Sequence, residues 1–324
     1  MLGAKESIEM RNVCYLVVPC YNEEKALPKS APVFLSKIEE LIKQGNISGK
    51  SKIMFVDDGS KDKTWDIIED LHKQNPIFIG LKLSRNCGHQ KALFSGLMFA
   101  KDKCDLTISI DSDLQDDINA IDGFIEEHNK GAEIVFGVRS KRDTDTIFKR
   151  NTALIFYKLM QFMGVNIIYN HADYRLMSKN ALGALSEYKE SNLFLRAVVA
   201  QLGFKTSSVY YERNKRVEGT TKYPFKQMLA FAFDGISSFS IYPIRIISAL
   251  GIIISILSSL MFAYYFIAKF LGNIPVPGYA SLICSIWLLG GLQLLSIGVI
   301  GEYIGKTYLE TKQRPRYIIE KVLD

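Results

Sequence analysis

The sequence has little of what marks cysteine- or histidine-built metal centres, secreted chains or nucleic-acid-binding chains. Its five cysteines, Cys14, Cys20, Cys87, Cys104 and Cys284, show no CxxC or other metal spacing. They read as reduced thiols of a cytosolic setting. The four histidines have no ligand spacing either. A net charge of +6 is too slight to suggest a nucleic-acid partner, and none is expected. Met1 to Arg11 carries Lys5, Glu6 and Glu9 and no apolar h-region, which argues against a cleavable signal peptide. Internal repeats and low-complexity linkers are missing.

Charge itself is missing from two long stretches. Ile246 to Ala268 is 23 residues without a charge, between Arg245 and Lys269, and Tyr279 to Ile300 is 22 more. At about 1.5 Å per residue each exceeds the roughly 30 Å hydrocarbon core of a bilayer. The pattern predicts two transmembrane helices, 246–268 and 279–300, within a hairpin spanning 245–301. Between Tyr223 and Ile244 aromatic residues are dense and charges few, and Asp234 speaks against a crossing. That segment, 223–244, is expected to lie at the membrane interface. The tail, 302–324, carries Lys306, Lys312, Arg314, Arg316 and Lys321. Positive-inside bias places it and the N-terminal domain, 1–222, in the cytoplasm. The basic residues cluster near the apolar runs, favouring an anionic membrane surface or phosphorylated ligands.

The N-terminal part alternates short apolar runs with helical periodicity. Strands are expected at Val13–Val18, Lys52–Val56, Phe78–Leu83, Asp105–Ile108 and Ala132–Val138. Helices carry Phe34, Leu35, Ile38, Leu41 and Ile42, then Trp65, Ile68 and Leu71, then Ala92–Ala100 and Ile118–His128. This rhythm predicts an α/β domain with a mostly parallel, Rossmann-like sheet. In such sheets ligands bind beyond the carboxyl ends of the strands. The loops there hold Tyr21-Asn22-Glu23, Asp57-Asp58 and Asp111/Asp113, so the three should line one crevice.

The chain is organised around Ser109-Ile110-Asp111-Ser112-Asp113-Leu114-Gln115-Asp116-Asp117. Two carboxylates one residue apart at a strand end suit a hard divalent cation, Mg2+ or Mn2+, whose other positions stay open to water or phosphate. A solvated turn or a helix N-cap would use the same residues. With the cation, the pair suggests a nucleotide-diphosphate substrate.

Successive motifs carry a resemblance. Val-Pro-Cys-Tyr-Asn-Glu-Glu at 18–24, Val-Asp-Asp-Gly-Ser-Lys-Asp-Lys-Thr at 56–64 and Asp-Ser-Asp-Leu-Gln-Asp at 111–116 resemble those of inverting GT-A glycosyltransferases of family 2. Leu-Ser-Arg-Asn-Cys-Gly-His-Gln-Lys-Ala-Leu at 83–93, Asp-Tyr-Arg-Leu-Met at 173–177 and the stretch from Gly301 to Pro315 narrow it. Together they resemble polyprenyl-phosphate glycosyltransferases, in particular the bactoprenol glucosyltransferases of O-antigen modification. Dolichyl-phosphate mannose synthases are more distant. Ser112 and Asp117 depart from residues common in relatives, without removing a proposed ligand.

The resemblance implies roles. Pro19, Tyr21 and Glu23 would line the nucleotide pocket; Asp57 would contact the base and Asp58 support the loop; Lys91 could approach the nucleotide. Asp111 would hold the ribose or metal, Asp113 would bind the metal, and Gln115 would join that shell. Asp173 would sit beside the acceptor phosphate, as a catalytic base, as an orienting or charge-stabilising carboxylate, or in a structural salt bridge with Arg175. Arg139, Arg142, Arg213, Arg216 and Lys222 are candidates to grip phosphates, for which arginine's planar fork is suited. The implied activity is transfer of one sugar, UDP-glucose being the expected donor, to undecaprenyl phosphate at the cytoplasmic face of a bacterial inner membrane. GDP-mannose or a UDP-aminosugar is the alternative donor. A flippase, a downstream glycosyltransferase and a homo-oligomer are conceivable partners. A processive polysaccharide synthase is disfavoured, since neither Trp65 nor Trp287 follows the arginine of a Gln-x-x-Arg-Trp motif. A catalytically dead scaffold would have lost an acidic ligand, and all are present.

Overall fold

The computed structural model describes residues 11–140, 171–190, 195–212, 242–270 and 279–324. Two compact units account for them. One comprises 1–161, 166–223 and 315–324, the other 162–165 and 224–314.

The first unit is built on one eight-stranded sheet. Its strands are β1 (Cys14–Cys20), β2 (Lys52–Asp57), β3 (Phe78–Leu83), β4 (Leu106–Ser109), β5 (Ile134–Arg139), β6 (His171–Ser178), β7 (Thr206–Tyr211) and β8 (Ile319–Leu323). They lie in the order β7-β5-β6-β4-β1-β2-β3-β8. All seven residues of β1 are buried, as expected of a central strand covered on both faces. It pairs in parallel with β2 and β4, and β2 with β3; β5 and β7 are also parallel. Strand β6 runs antiparallel between β4 and β5.

Helices α1 (Leu27–Gln44), α2 (Thr64–Gln74), α3 (His89–Ala100), α4 (Ala120–Asn129), α5 (Lys179–Ser186) and α6 (Leu195–Gln201) belong to the same unit. Helix α1 forms because Leu27, Ala31, Phe34, Ile38 and Leu41 recur on one face and are all buried. It stops at Gly45, in the left-handed conformation (φ 75°) that helix C-caps favour. Phe124 of α4 packs on Tyr174 of β6, ring centroids 4.6 Å apart, and Tyr174 on Tyr211 of β7 at 5.4 Å.

Two features were not foreseen. Asp173 lies on a strand, and the chain returns after its last helix to add β8, antiparallel, to the edge of β3. The tail is therefore ordered structure, covering an edge that would otherwise expose unpaired backbone groups. Arg316 lies 4.6 Å over the Phe94 ring and donates to the Tyr188 carbonyl, while Lys82–Glu320 (3.0 Å) and Lys321–Glu69 (2.7 Å) flank the strand.

The second unit holds α7 (Tyr242–Phe270, 29 residues) and α8 (Tyr279–Thr311, 33 residues). These contain the uncharged runs, and α8 continues well past Ile300. Among the described residues no helix is long and apolar enough to cross a membrane; part of each run has side chains outside the described set. The expected interfacial helix is described only from Tyr242 onward, where it is already α7. A further helix, expected from the apolar spacing of Leu154, Ile155, Tyr157, Leu159, Phe162 and Met163, lies outside the described residues.

Candidate active site

The carboxyl ends of the parallel strands open into a cleft of about 360 Å³. Pro19, Cys20, Tyr21 and Glu23 enter it from the end of β1, and Asp58 from β2. Asn86, Gly88 and His89 come from the β3–α3 connection, and Asp111, Ser112 and Asp113 from the end of β4. Asp173 comes from β6 and Arg196 from α6.

The loops are tied to one another. Gly59 (φ +66°) lies so close to the next loop that a Cβ there would fall 2.5 Å from the Arg85 carbonyl carbon. Asp58 accepts the amides of Cys87 (2.7 Å) and Gly88 (2.9 Å), which fixes the start of α3 and hence His89. Asn22 and Leu114, in two of the cleft loops, are held at φ 55°, a conformation that asparagine adopts readily but that costs leucine about 1–2 kcal/mol. Leu114 packs on the core, and the Gln115 amide donates to Asp113 Oδ1 at 3.1 Å, so the metal-ready turn is built under strain.

The last aspartate of the Asp-Ser-Asp-Leu-Gln-Asp motif serves the fold. Asp116 is buried, and its Oδ1 accepts from Tyr211 Oη (2.6 Å), Arg139 Nη2 (3.0 Å) and Arg139 Nε (3.3 Å). The Asp116 carboxylate raises the Arg139 guanidinium despite burial, and burial with that same charge pushes the Tyr211 hydroxyl up. Arg139, expected at the acceptor phosphate, is thus committed to Asp116.

Asp173 is held by two arginines. Arg175 Nη2 lies 2.5 Å from its Oδ1 and Arg196 Nη2 2.9 Å from its Oδ2. Burial works to raise its carboxyl, but Arg196, His89 and Arg175 outweigh it and hold it well below the carboxylate range. His89 Nε2 stands 3.5 Å from Asp111 and 3.7 Å from Asp173. Burial lowers its imidazole, and the two carboxylates more than compensate. Asp111 is pushed up, first by burial and then by Asp116, Asp173 and Asp113, against the opposing pull of His89.

Among the described residues no group of three or more His, Cys, Asp or Glu side chains is arranged to hold a metal. The Asp111–Asp113 pair fits a different site: hard oxygen donors, in surplus negative charge, for a cation that completes its shell with substrate phosphates and water. Asp57, Lys91 and Gln115 are not among the lining residues. Asp57 is fully buried, its Oδ1 taken by the Ser60 amide at 3.2 Å. Arg142, Arg213, Arg216 and Lys222 lie outside the described residues. Arg196 carried no expectation, and His89, expected with the other histidines as a solvated or hydrogen-bonded surface residue, lies in the cleft beside Asp111 and Asp173. His89 sits inside a motif quoted for its likeness, whereas Arg196 has no local signature.

The profile of Glycosyl transferase family 2 matches residues 15–185, the stretch holding every strand-end loop of this cleft. The chain belongs to that family. It is a glycosyltransferase. Among curated relatives, the YkoT glycosyltransferase of Bacillus subtilis (strain 168) is 52% identical over 95% of this chain and 91% of its own length. The prophage bactoprenol glucosyl transferase homolog of Escherichia coli (strain K12) is 40% identical over 95% of this chain and 98% of its own. The bactoprenol glucosyl transferase of Shigella phage SfII is 41% identical over 94% and 97%. Among solved structures, glucosyl-3-phosphoglycerate synthase of Mycobacterium tuberculosis is 17% identical with a TM-score of 0.44, covering 73% of this chain and 81% of that one.

Proposed function

We propose that this glycosyltransferase moves one sugar from a nucleotide diphosphate, UDP-glucose, to undecaprenyl phosphate with inversion. The observation that carries the reading is the end-to-end match to relatives named bactoprenol glucosyl transferase, at 40–41% identity across both units. An oxygen of the acceptor phosphate forms a bond to the anomeric carbon while the bond from that carbon to the diphosphate oxygen breaks. The electron pair leaves with the nucleoside diphosphate. A phosphate monoester is already ionised near pH 7, its second pKa being about 6, so the step needs no protein base. Positioning and charge stabilisation supply the rate.

Asp111 and Asp113 would hold Mg2+ or Mn2+, which when bound neutralises charge on the diphosphate. Tyr21, Glu23 and Pro19 present the wall for the nucleotide, and Asp58 keeps the α3 entry in place. Helices α7 and α8, about 43 and 50 Å long at 1.5 Å per residue, are proposed to anchor the chain in the bacterial inner membrane with the catalytic unit cytoplasmic. Support comes from exposed Ile252, Ile253, Leu260, Leu294, Leu295 and Ile297 along them, an apolar surface suited to lipid.

The test uses full-length protein in detergent, undecaprenyl phosphate and a panel of UDP- and GDP-sugars, with Mg2+, Mn2+ or EDTA. Lipid-phosphate sugar is read by mass. Single transfer of glucose, abolished by EDTA, is expected. Transfer of another sugar would replace the donor, and no transfer to this lipid would refute the acceptor.

A further inference from the structure

The Asp173 carboxylate has two guanidinium partners. Arg175 is 1% exposed and donates to Asp173 Oδ1 and, through Nη1, to the Leu195 carbonyl at 3.4 Å. That carbonyl belongs to the residue preceding Arg196, so the same buried arginine also steadies the start of α6. Arg196 grips Asp173 from the other side, with Nη2 at 2.9 Å from Oδ2 and Nε at 3.2 and 3.3 Å from the two oxygens. Two guanidiniums and one carboxylate leave this trio with one net positive charge. Arg175 is sealed from the cleft, whereas the Arg196 side chain is 39% exposed and lines it.

Beyond the trio, the cleft is lined by four carboxylates, Glu23, Asp58, Asp111 and Asp113, with His89 as the one further basic side chain among the lining residues. A divalent cation on Asp111 and Asp113 answers the donor's diphosphate, but an acceptor phosphate monoester brings a further charge of about −1.5 to −2 near pH 7. In-line displacement puts that phosphate on the far side of the anomeric carbon from the diphosphate. His89 Nε2 lies between Asp111 (3.5 Å) and Asp173 (3.7 Å), so the trio faces Asp111 across that histidine in the same cleft. Arginine's fork matches phosphate oxygens, especially when its orientation is already set.

Resting on the transfer to polyprenyl phosphate proposed above, we infer that Arg196, set by Asp173 into the cleft across His89 from Asp111, receives the acceptor's phosphate. Asp173 is then a positioning residue that acts through Arg196, and it takes no proton in the reaction.

The experiment compares wild type, Arg196→Ala, Arg196→Lys and Asp173→Asn as full-length proteins in detergent. KM is measured for undecaprenyl phosphate and for UDP-glucose separately, and UDP binding by calorimetry with Mn2+. Arg196→Ala is expected to raise the acceptor KM tenfold or more and leave UDP affinity within twofold. Arg196→Lys recovers part of the loss and keeps the test valid should the alanine variant fold poorly. Asp173→Asn moves the acceptor KM in the same direction. An unchanged acceptor KM in both Arg196 variants overturns the inference. So does a loss of UDP affinity as large as the loss for the acceptor, which would put Arg196 on the donor. A fall in kcat for Asp173→Asn with the acceptor KM intact would restore Asp173 as a base. A wild type that transfers nothing to undecaprenyl phosphate sinks the functional reading and this inference together; an active wild type with indifferent variants sinks the inference alone.

Discussion

Replacing Asp116 by asparagine keeps its shape and removes its charge from beneath the cleft. Its Oδ1 gathers two donors from Arg139 and one from Tyr211, joining the turn after β4 to β5 and β7. Removing one member of a buried ion pair costs about 3–5 kcal/mol when the survivor is sealed from water. The Arg139 side chain is 27% exposed, so water recovers part of that, and about 2–3 kcal/mol is expected. At about 2–4 °C per kcal/mol for a unit of this size, Tm falls by about 4–12 °C. Trp65 of α2 packs against β3 at 8% exposure, so in a Trp287→Phe background its fluorescence reports the transition in the full chain in detergent. A double-mutant cycle with Arg139→Gln should return a coupling of about 1–3 kcal/mol. Additive effects, or an unchanged Tm with transfer abolished, would refute the reasoning and make Asp116 a ligand of the reaction.

Asp111→Asn should raise Tm in EDTA at neutral pH while lowering transfer about 100-fold or more. Its folded carboxyl is raised above the ordinary 3.8, so its ionisation removes stability as pH climbs from about 4 through the folded value. A lower Tm in EDTA contradicts this. Asp173 has the opposite sign: its carboxyl is held down, so its stabilising contribution is present above about pH 4 and lost as pH falls through the folded value. Acid unfolding of Asp173→Asn should therefore lose that limb. Gly59→Ala places a Cβ on the Arg85 backbone at positive φ and should cost about 2 kcal/mol or more, with weaker UDP binding by calorimetry. Deleting 319–324 bares the β3 edge and should bring aggregation and a lower Tm by light scattering and fluorescence; monodisperse protein with wild-type Tm would show β8 dispensable.

Much of the site was legible because its residues sit next to strand ends in the sequence. The Tyr21–Glu23 loop, Asp58 and the Asp111/Asp113 pair each follow a short apolar run, and a parallel sheet brings such ends together. Asp57 shows the limit of that reading. Strand periodicity does not say which of two adjacent aspartates faces the cleft, and here Asp58 does while Asp57 turns into the protein.

By itself the sequence determined the alternating α/β order, the two uncharged runs and the acidic turn after β4. Each follows from local periodicity, from hydropathy or from a few neighbouring side chains. Only the tertiary structure decided what distant charges do to one another. Arg139 meets Asp116 across 23 residues, and Arg196 meets Asp173 across another 23. The C-terminal strand finds β3 from more than 200 positions away, as Lys82 and Glu320 illustrate. Such pairs have no signature along the chain, because burial and the spacing of the sheet, rather than neighbouring residues, select the partner that neutralises a buried charge.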